Sequence, residues 1–208
     1  MTIMTKFIQN SQQKIWDLIA PNWNNYRQKP LRELSKLNWK KGKILDLGCG
    51  NCRNLIPFKD LECYGLDFSK SMLEQSKKFS KKHNFKVSLT QSDLEKKLPY
   101  KSSSFNYVLA IASLHHLSNP EFTIKEISRI LKKNGEAYIT VWNKLQPKFL
   151  FRKKRTLIPW KQKSQTLMRY YHFIGYFELK SLLRKNNFKI LKSGFGKNIT
   201  FHVRLDKI

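Results

Sequence analysis

The chain has 208 residues, 40% of them hydrophobic, which is enough for one substantial core and predicts a single domain over residues 1–208. Its 41 Lys and Arg against 14 Asp and Glu give a net charge of +27, which favours a polyanionic partner such as nucleic acid. No apolar run has the length of a membrane span or secretory signal, so membrane and exported proteins are disfavoured and the cytoplasm is expected. The pair Cys49 and Cys52 lacks the second pair that a zinc ribbon needs, so no metal site is predicted.

Apolar residues alternate along the chain between helical and strand periodicity. Helices are predicted over Gln12–Ala20, Leu31–Leu37, Ser69 to about His83, Glu121–Leu131 and Phe177–Lys185. Strands are predicted over Lys43–Leu47, Cys63–Leu66, Lys86–Gln91, Tyr107–Ala112 and Glu136–Val141, followed by a hairpin of Phe188–Ser193 and Ile199–Leu205. No helix or strand is predicted between Val141 and Phe177, and the segment around Tyr170 is expected to be irregular. This order predicts an α/β fold with a seven-stranded, mostly parallel sheet covered by helices on both faces.

The first predicted strand ends in an acidic turn with two glycines, Asp46–Asn51, a pattern typical of a nucleotide-like ligand site. The second strand ends in Asp67, where an open α/β sheet places an acid against ribose hydroxyls. Arg53 stands where the dinucleotide fingerprint needs its third glycine, which disfavours NAD. Asp93 and Ala112 follow later strands and are expected in the same crevice, although Asp93 is also suited to cap a helix.

An Asp at a strand end followed by Leu-Gly-Cys-Gly-Asn resembles the opening motif of class I S-adenosylmethionine-dependent methyltransferases. The resemblance implies a Rossmann-like fold with S-adenosylmethionine as the cofactor. Gly48 and Gly50 would line the methionine and ribose, Asp67 would bind the ribose hydroxyls, and Ala112 would lie near the sulfonium. Asp93 with Leu94 would meet the adenine. The full set of implied cofactor residues is Asp46, Gly48, Cys49, Gly50, Asn51, Asp67, Phe68, Asp93, Leu94 and Ala112.

No acidic residue occurs between Glu136 and Glu178, a region that contains a predicted substrate-binding insertion over residues 144–175. Lys and Arg alternate there with aromatic residues, which suits RNA because cations hold phosphates and rings stack on exposed bases. A general bias of the source towards Lys is the alternative explanation. The candidate RNA-binding residues are Lys148, Arg152, Lys153, Lys154, Arg155, Lys161 and Lys163.

Outside the shared core, the chain resembles the tRNA wobble-uridine carboxymethyl methyltransferases. The matching residues are Trp16–Ala20 with Trp23, Tyr26, Arg27 and Pro30, then Ile111–Leu117, Val141–Trp142, Ile158–Trp160 and Arg169–Phe173. That family methylates the carboxylate of 5-carboxymethyluridine in the tRNA anticodon loop, together with a small zinc-binding activator protein. The chain departs from it at Cys52, where a second Gly is usual and a larger side chain is expected to tighten the cofactor pocket. It also diverges over Lys144–Arg155, which leaves the docking of tRNA open.

The same resemblance implies a helical lid over residues 1–40 and a heterodimer in which the activator adds its sheet to the edge strand 86–91. The candidate catalytic residues are Arg27, His116, Arg169, Trp142 and Tyr171. Arg27 and Arg169 would pair with the carboxylate, and His116 would lie beside the reactive methyl. Trp142, Tyr171 or Tyr26 would stack on the extruded base. The N-terminal aromatic residues are equally suited to packing a lid onto the sheet, and His115 is expected only to pack.

Two other function classes remain compatible with these residues. A methyltransferase for a small-molecule or lipid-precursor acceptor would have the same cofactor half, because the fold does not determine the acceptor. A non-catalytic tRNA-binding or activator-binding protein would keep the fold without cofactor affinity, and the intact residues Asp46, Gly48, Gly50 and Asp67 argue against it.

Overall fold

A seven-stranded sheet forms the centre of the fold in the computed structural model, which describes residues 3–162 and 165–206, with side chains from residue 11 onward. The α-helices in these residues are α1 (Ile3–Tyr26), α2 (Lys70–Lys82), α3 (Pro120–Ile130) and α4 (Tyr176–Lys185). The strands are β1 (Lys43–Leu47), β2 (Glu62–Asp67), β3 (Val87–Gln91), β4 (Phe105–Ile111), β5 (Leu131–Trp142), β6 (Arg155–Gln162), β7 (Gln165–His172), β8 (Phe188–Phe195) and β9 (Asn198–Leu205).

The strands of the central sheet are ordered β3-β2-β1-β4-β5-β9-β8. Strands β1 to β5 are parallel, whereas β9 is antiparallel to both β5 and β8. The predicted α/β class, the mostly parallel sheet and the C-terminal hairpin are therefore confirmed, and β3 is an edge strand as predicted. The strand order reverses at β1, so a crevice opens beyond the carboxyl ends of β1 and β4. No helix among the described residues is both long and apolar enough to cross a membrane.

Helices α2 and α3 begin where their capping residues predict. The Ser69 side chain accepts a hydrogen bond from the Met72 amide at 3.1 Å, and the Asn119 side chain accepts one from the Phe122 amide at 3.3 Å. Pro120 follows Asn119 as the first residue of α3, a position where proline costs no hydrogen bond. Both helices bury an apolar stripe against the sheet, which fixes how the loops preceding them lie along its carboxyl-end edge.

The first helix is much longer than predicted, because it begins at Ile3 rather than Gln12 and continues past Ala20 and Pro21 to Tyr26. Contacts with distant parts of the chain hold its second half: the Trp160 indole donates to Asn22 Oδ1 at 3.2 Å, and Asn51 Nδ2 donates to Asn24 Oδ1 at 2.7 Å. These contacts override the local signal of the proline. The prediction of a helix over Leu31–Leu37 is wrong in the type of helix, because the structure has a short 3-10 helix over Arg32–Lys36 instead.

The region in which no helix or strand is predicted contains a second, two-stranded sheet, in which β6 and β7 pair in antiparallel fashion from Arg155 to His172. Its inner face packs on the main body through a small apolar cluster of Phe149, Ile158, Tyr171 and Phe173. The hairpin also contacts α1 and the turn after β4. It therefore forms one wall of the crevice, opposite the Asp46–Asn51 turn.

Candidate active site

A cavity of about 950 Å³ opens beyond the carboxyl ends of the parallel strands, between the Asp46–Asn51 turn, helix α1 and the β6–β7 hairpin. The implied cofactor residues that line it are Gly48, Cys49, Gly50, Asp67, Phe68, Asp93, Leu94 and Ala112. The candidate catalytic residues that line it are Arg27, His116, Trp142, Arg169 and Tyr171. The fold thus brings both groups, which lie far apart in the sequence, to one cavity.

The backbone conformation of the glycine turn and its close contacts leave no room for side chains at Gly48 and Gly50. Gly48 and Gly50 have positive φ values of 69° and 56°. A Cβ atom on Gly48 would lie 2.8 Å from Cβ of Ser113, and one on Gly50 would lie 2.8 Å from the Trp23 ring. The Gly50 amide donates to Asp67 Oδ2 at 2.9 Å, so the turn and the second strand end are joined directly. The resulting cradle fits a ligand that approaches the backbone closely.

Two buried carboxyl groups lie behind and beside this turn. Burial raises the pKa of Asp46 to about 7, although the nearby Arg53 opposes that shift, and Oδ2 of Asp46 has no hydrogen-bond partner in the described part of the chain. Burial also raises the pKa of Asp67 to about 6, against hydrogen bonds from the Ser69 and Gly50 amides. Asp67 lines the cavity and keeps lone pairs for further donors, as the ribose hydroxyls of S-adenosylmethionine require, whereas Asp46 is buried behind the turn and does not line the cavity.

Asn51 and Cys52 face away from the cavity. Asn51 Nδ2 donates to Asn24 Oδ1 and to the Arg27 carbonyl oxygen, both at 2.7 Å, so Asn51 ties the turn to the end of α1. Cys52 has a positive φ of 62°, and its buried Sγ lies 3.3 Å from Ser76 Oγ. The expectation that Cys52 tightens the cofactor pocket is wrong. Its side chain fills the space that Gly65 leaves, where a Cβ would lie 2.9 Å from the sulfur.

Two further cofactor candidates lie in turns that follow strands. Asp93 accepts the Glu95 amide at 2.9 Å in a turn from which no helix starts, so the alternative that Asp93 caps a helix is wrong. Ala112 follows β4, rather than ending it as predicted, and has a positive φ of 55°. The Ala112 amide donates to both the backbone oxygen and Oγ1 of Thr140 at 3.0 Å. These bonds turn the segment after β4 towards the cavity.

Helix α1 crosses the cavity and is bonded to both of its walls. Gln12 donates to the Met168 oxygen at 3.1 Å and accepts from the Tyr170 amide at 2.8 Å, both in β7. On the opposite wall, Asp17 Oδ1 accepts the Ser69 hydroxyl at 2.6 Å and the Ser71 amide at 3.0 Å. Trp16 and Trp23 of the same helix line the cavity. The helix therefore joins the two walls of the cavity.

Arg169 is a buried cation that lacks an acidic partner. It is 6% exposed, and among the described residues no carboxylate oxygen lies within 4.0 Å of its guanidinium. The centre of the guanidinium lies 4.9 Å from the Trp160 ring centroid and 5.3 Å from that of Tyr171. Burial lowers the pKa of Arg169, yet a guanidinium stays charged at neutral pH. A buried positive charge without compensation favours an anionic ligand.

His115 and His116 have opposite tautomers. His116 Nδ1 lies 2.9 Å from the Tyr170 carbonyl oxygen, which only accepts, so Nδ1 carries the proton and Nε2 is an acceptor. Burial lowers the pKa of His116 to about 3, and Arg169 contributes to the same shift. His115 Nδ1 accepts the Trp142 amide at 3.2 Å, so its Nε2 carries the proton. His116 therefore does not donate to a carboxylate in this arrangement, whereas His115 has a proton to donate.

Several buried polar atoms around the cavity have no hydrogen-bond partner within the described ranges. They are Ser113 Oγ, His115 Nε2, Arg169 Nε and Tyr171 Oη. The two nitrogen atoms can only donate, and both hydroxyl groups can rotate to donate. A carboxylate accepts up to about four hydrogen bonds, which matches such a set. Sequence reasoning missed Ser113 and assigned His115 to packing; only its position beside His116 hinted at a role.

The aromatic candidates divide into packed and available rings. Tyr171 is fully buried and stacked on His115 at 5.1 Å, so the expected role as a platform for a base does not fit its surroundings. Trp142 is also covered, with Phe149 stacked at 5.2 Å and Lys148 Nζ 4.8 Å from its centroid. Tyr26 is 69% exposed at the cavity rim and is therefore free to stack.

The candidate RNA-binding residues lie on and beside the β6–β7 hairpin. Lys148, Arg152, Lys153 and Lys161 are exposed, and Arg155 reaches the cavity rim. Lys154 pairs with Glu178 at 2.9 Å, which reduces its availability to a phosphate. Lys163 lies outside the described residues.

A family profile described as a methyltransferase domain matches residues 38–203, which include the glycine turn and all but the last two residues of the central sheet. The chain belongs to this methyltransferase family. An Encephalitozoon cuniculi protein named as a methyltransferase is 30% identical to it over 83% of this chain and 82% of its own. The Saccharomyces cerevisiae tRNA (carboxymethyluridine(34)-5-O)-methyltransferase is 30% identical over 62% of this methyltransferase, but the match spans only 47% of the yeast protein.

Solved structures show the same fold. One is a complex between the Haloferax volcanii Trm112 methyltransferase activator and a methyltransferase, matched with a TM-score of 0.71 at 14% identity over 95% of this chain and 99% of that one. The fold and the family together make S-adenosylmethionine the cofactor of this methyltransferase. The glycine cradle and the two carboxyl groups fit it.

The buried histidines lead to a prediction for the pH profile. Because burial lowers the pKa of His116 to about 3 and that of His115 well below its usual range, both rings are neutral near pH 6.5. At saturating cofactor, kcat is therefore expected to show no inflection near pH 6.5. The measurement is kcat from pH 5.5 to 8.5 for the wild type and His116→Asn. An inflection near pH 6.5 that disappears in the variant would show that His116 titrates during turnover.

Proposed function

We propose that this methyltransferase methylates the carboxylate of 5-carboxymethyluridine at the wobble position of tRNA, forming the methyl ester. The observation that carries the proposal is Arg169, a buried guanidinium without a carboxylate partner among the described residues. It lies among hydrogen-bond donors that lack partners in the same cavity. Such a site suits an acceptor that is itself an anion with several lone pairs.

The protonation states of the residues around the cavity support a carboxylate, rather than an alcohol or phenol, as the group that accepts the methyl. A carboxylate has an ordinary pKa of about 4, so it is already ionised and needs no general base. An alcohol needs one, and His116 is a poor base because its pKa is about 3. S-adenosylmethionine supplies, when bound, an electrophilic methyl group on its sulfonium. The chain's own contribution is to hold the carboxylate in line and to exclude water with α1.

The positive charge of the chain and its similarity to named tRNA methyltransferases support RNA as the molecule that carries this carboxylate. The chain has a net charge of +27, and exposed cations lie beside the cavity mouth. Relatives named as tRNA methyltransferases match more than half of the chain. We include Arg27 at the rim as a second contact for the carboxylate, Tyr26 as a platform for the base, and residues 144–175 as the substrate-binding insertion.

A small zinc-binding activator is the proposed protein partner. Strand β3 pairs with β2 alone in the central sheet, so its other edge is open over Val87–Gln91. Val87 and Leu89 on this strand are partly buried against the core and leave apolar surface beside the open edge. The solved methyltransferase that shares this fold with a TM-score of 0.71 is named in a complex with a methyltransferase activator.

The test is nucleoside mass spectrometry of tRNA that bears carboxymethyluridine, after incubation with this protein, the activator and methyl-labelled S-adenosylmethionine. Labelled methyl ester at the wobble uridine is the expected product. An Asp67→Asn variant is the control for dependence on the cofactor. Absence of label from a preparation that binds the cofactor would contradict the proposal. Label on a free small carboxylate, with no decrease at 0.2 M salt, would instead favour the small-molecule class.

A further inference from the structure

Four Phe, Tyr or Trp side chains are at least 60% exposed among the residues whose side chains the structure describes. They are Tyr26 at 69%, Phe151 at 96%, Phe177 at 80% and Phe195 at 60%. Tyr26 belongs to the cavity rim already described. The other three have no place in the core and no role in the proposed methyl transfer. Their number and exposure on one small chain call for a physical explanation.

The three rings lie at the edge of the sheet onto which the cavity opens. Phe151 follows the carboxyl end of β5, and Phe195 ends β8 next to Asn198, which pairs with Trp142 and lines the cavity. Phe177 lies in the first turn of α4, where the ring of its neighbour Tyr176 lies 5.3 Å from Phe177 and 6.0 Å from Phe195. Phe177 and Phe195 therefore both contact the Tyr176 ring, which joins them on this surface.

Hydrogen bonds connect Phe151 to the same surface. Three residues after Phe151, Lys154 pairs with Glu178 of α4 at 2.9 Å. The chain before Phe151 is joined to the β8–β9 turn, because Gln146 Nε2 donates to the Lys197 oxygen at 2.7 Å. We call the surface formed by Phe151, Phe177 and Phe195, with the exposed cations Arg152, Lys153 and Lys197, the stacking surface.

Charge decides which partner fits the stacking surface. Arg152, Lys153 and Lys197 are exposed and form no ion pair within the described residues, and the acidic neighbour Glu178 is already paired with Lys154. The chain has a net charge of +27, so a second copy would be repelled. Exposed flat rings beside unpaired cations are the combination that binds single-stranded nucleic acid, with bases on the rings and phosphates on the cations.

We propose that the stacking surface binds unpaired bases of an RNA loop on either side of the nucleotide that enters the cavity. Phe151, Phe177 and Phe195 stack on bases, and Arg152, Lys153 and Lys197 contact the phosphates between them. This inference rests on the proposed function for the idea that the acceptor is carried by RNA. It extends the RNA contact beyond the basic insertion to α4 and the β8–β9 turn.

The test compares two RNA probes, a stem-loop and a perfect duplex of equal length, in fluorescence anisotropy titrations. Phe151→Ala/Phe177→Ala/Phe195→Ala, the ring variant, is expected to bind the stem-loop at least about 100-fold more weakly, because each of the three stacked bases contributes about fivefold or more. Its affinity for the duplex and its salt slope are expected to stay unchanged. Arg152→Gln/Lys153→Gln/Lys197→Gln is expected to weaken both complexes and to lower the salt slope by roughly two units or more.

Leu191→Ala, which removes an exposed apolar side chain that is 40% accessible on the edge strand β8, is the matched control and should bind the stem-loop like the wild type. Unchanged stem-loop affinity in the ring variant overturns the proposal. The proposal is also overturned if the wild type sediments as a dimer and the ring variant sediments as a monomer with unchanged affinity for RNA. Methylation of free 5-carboxymethyluridine should be equal in wild type and ring variant. If neither protein methylates free 5-carboxymethyluridine but the ring variant loses affinity for the stem-loop, the proposed acceptor is contradicted. The proposal that the stacking surface binds RNA is then still supported.

Discussion

Replacing Arg169 with Met is expected to lower kcat about 100-fold while leaving the dissociation constant of the cofactor unchanged. Met keeps much of the length and apolar contact of the side chain but removes the charge and the donors that face the cavity. The acceptor carboxylate would then lack its charged partner, and a misplacement of about 1 Å costs on the order of 100-fold in rate. The measurement is single-turnover methylation of carboxymethyluridine RNA, with cofactor affinity from calorimetry.

Two further variants distinguish the effect of the positive charge of Arg169 from the effect of its planar guanidinium geometry. Arg169→Lys keeps a positive charge without the planar fork and is expected to recover part of the rate. Arg184→Gln, at an exposed position near the end of α4, removes the same charge far from the cavity and is expected to behave as the wild type. Equal kcat for Arg169→Met and the wild type would remove the main support for a carboxylate acceptor, even if the fold and cofactor site stand.

The cofactor half of the site was accessible from the sequence because local rules determine it. Gly48 and Gly50 are required by positive φ values and close contacts, and Asp67 ends a strand in a topology that alternation alone predicts. The edge position of β3 was predicted from the family resemblance, and the observed strand order agrees with it. Local rules did not predict in which direction each side chain of the turn points. Asn51 and Cys52 lie in the same turn, yet both side chains face away from the cavity.

The acceptor half depends on contacts between distant segments and was predicted less well. The β6–β7 hairpin was missed, and with it the burial of Tyr171 that prevents its face from stacking on a base. The roles of the two histidines depend on which backbone group each Nδ1 meets, the Tyr170 oxygen or the Trp142 amide. No periodicity in the sequence encodes those pairings. The end of α1 was misplaced for the same reason, since distant contacts carry it past Pro21.

The affinity for S-adenosylmethionine is expected to rise with pH between about 5 and 7. In the free protein, burial raises the pKa of Asp67 to about 6 and that of Asp46 to about 7. Ribose hydroxyls bound by Asp67, and the positive charge of an ammonium group in the cavity in front of the buried Asp46, favour the ionised carboxylates, so bound cofactor lowers these pKa values. Below pH 6, binding must therefore release protons, and the affinity falls by up to about tenfold per pH unit for each such group. Above about pH 8 both groups are mostly ionised and the affinity becomes flat.

Calorimetry with S-adenosylhomocysteine in two buffers of different ionisation enthalpy measures both the affinity and the protons released. At pH 5.5, the wild type is expected to release protons on binding, and Asp67→Asn is expected to release fewer. The variant should also bind at least tenfold more weakly at pH 7.5, because its amide would set a donor against the Gly50 or Ser69 amide. Asp60→Asn, at an exposed position, is the matched control and should retain the wild-type profile. A wild-type affinity that is constant from pH 5 to 7.5 would show that neither carboxyl group changes its ionisation when the cofactor binds, and the contact of Asp67 with the ribose would have to be abandoned.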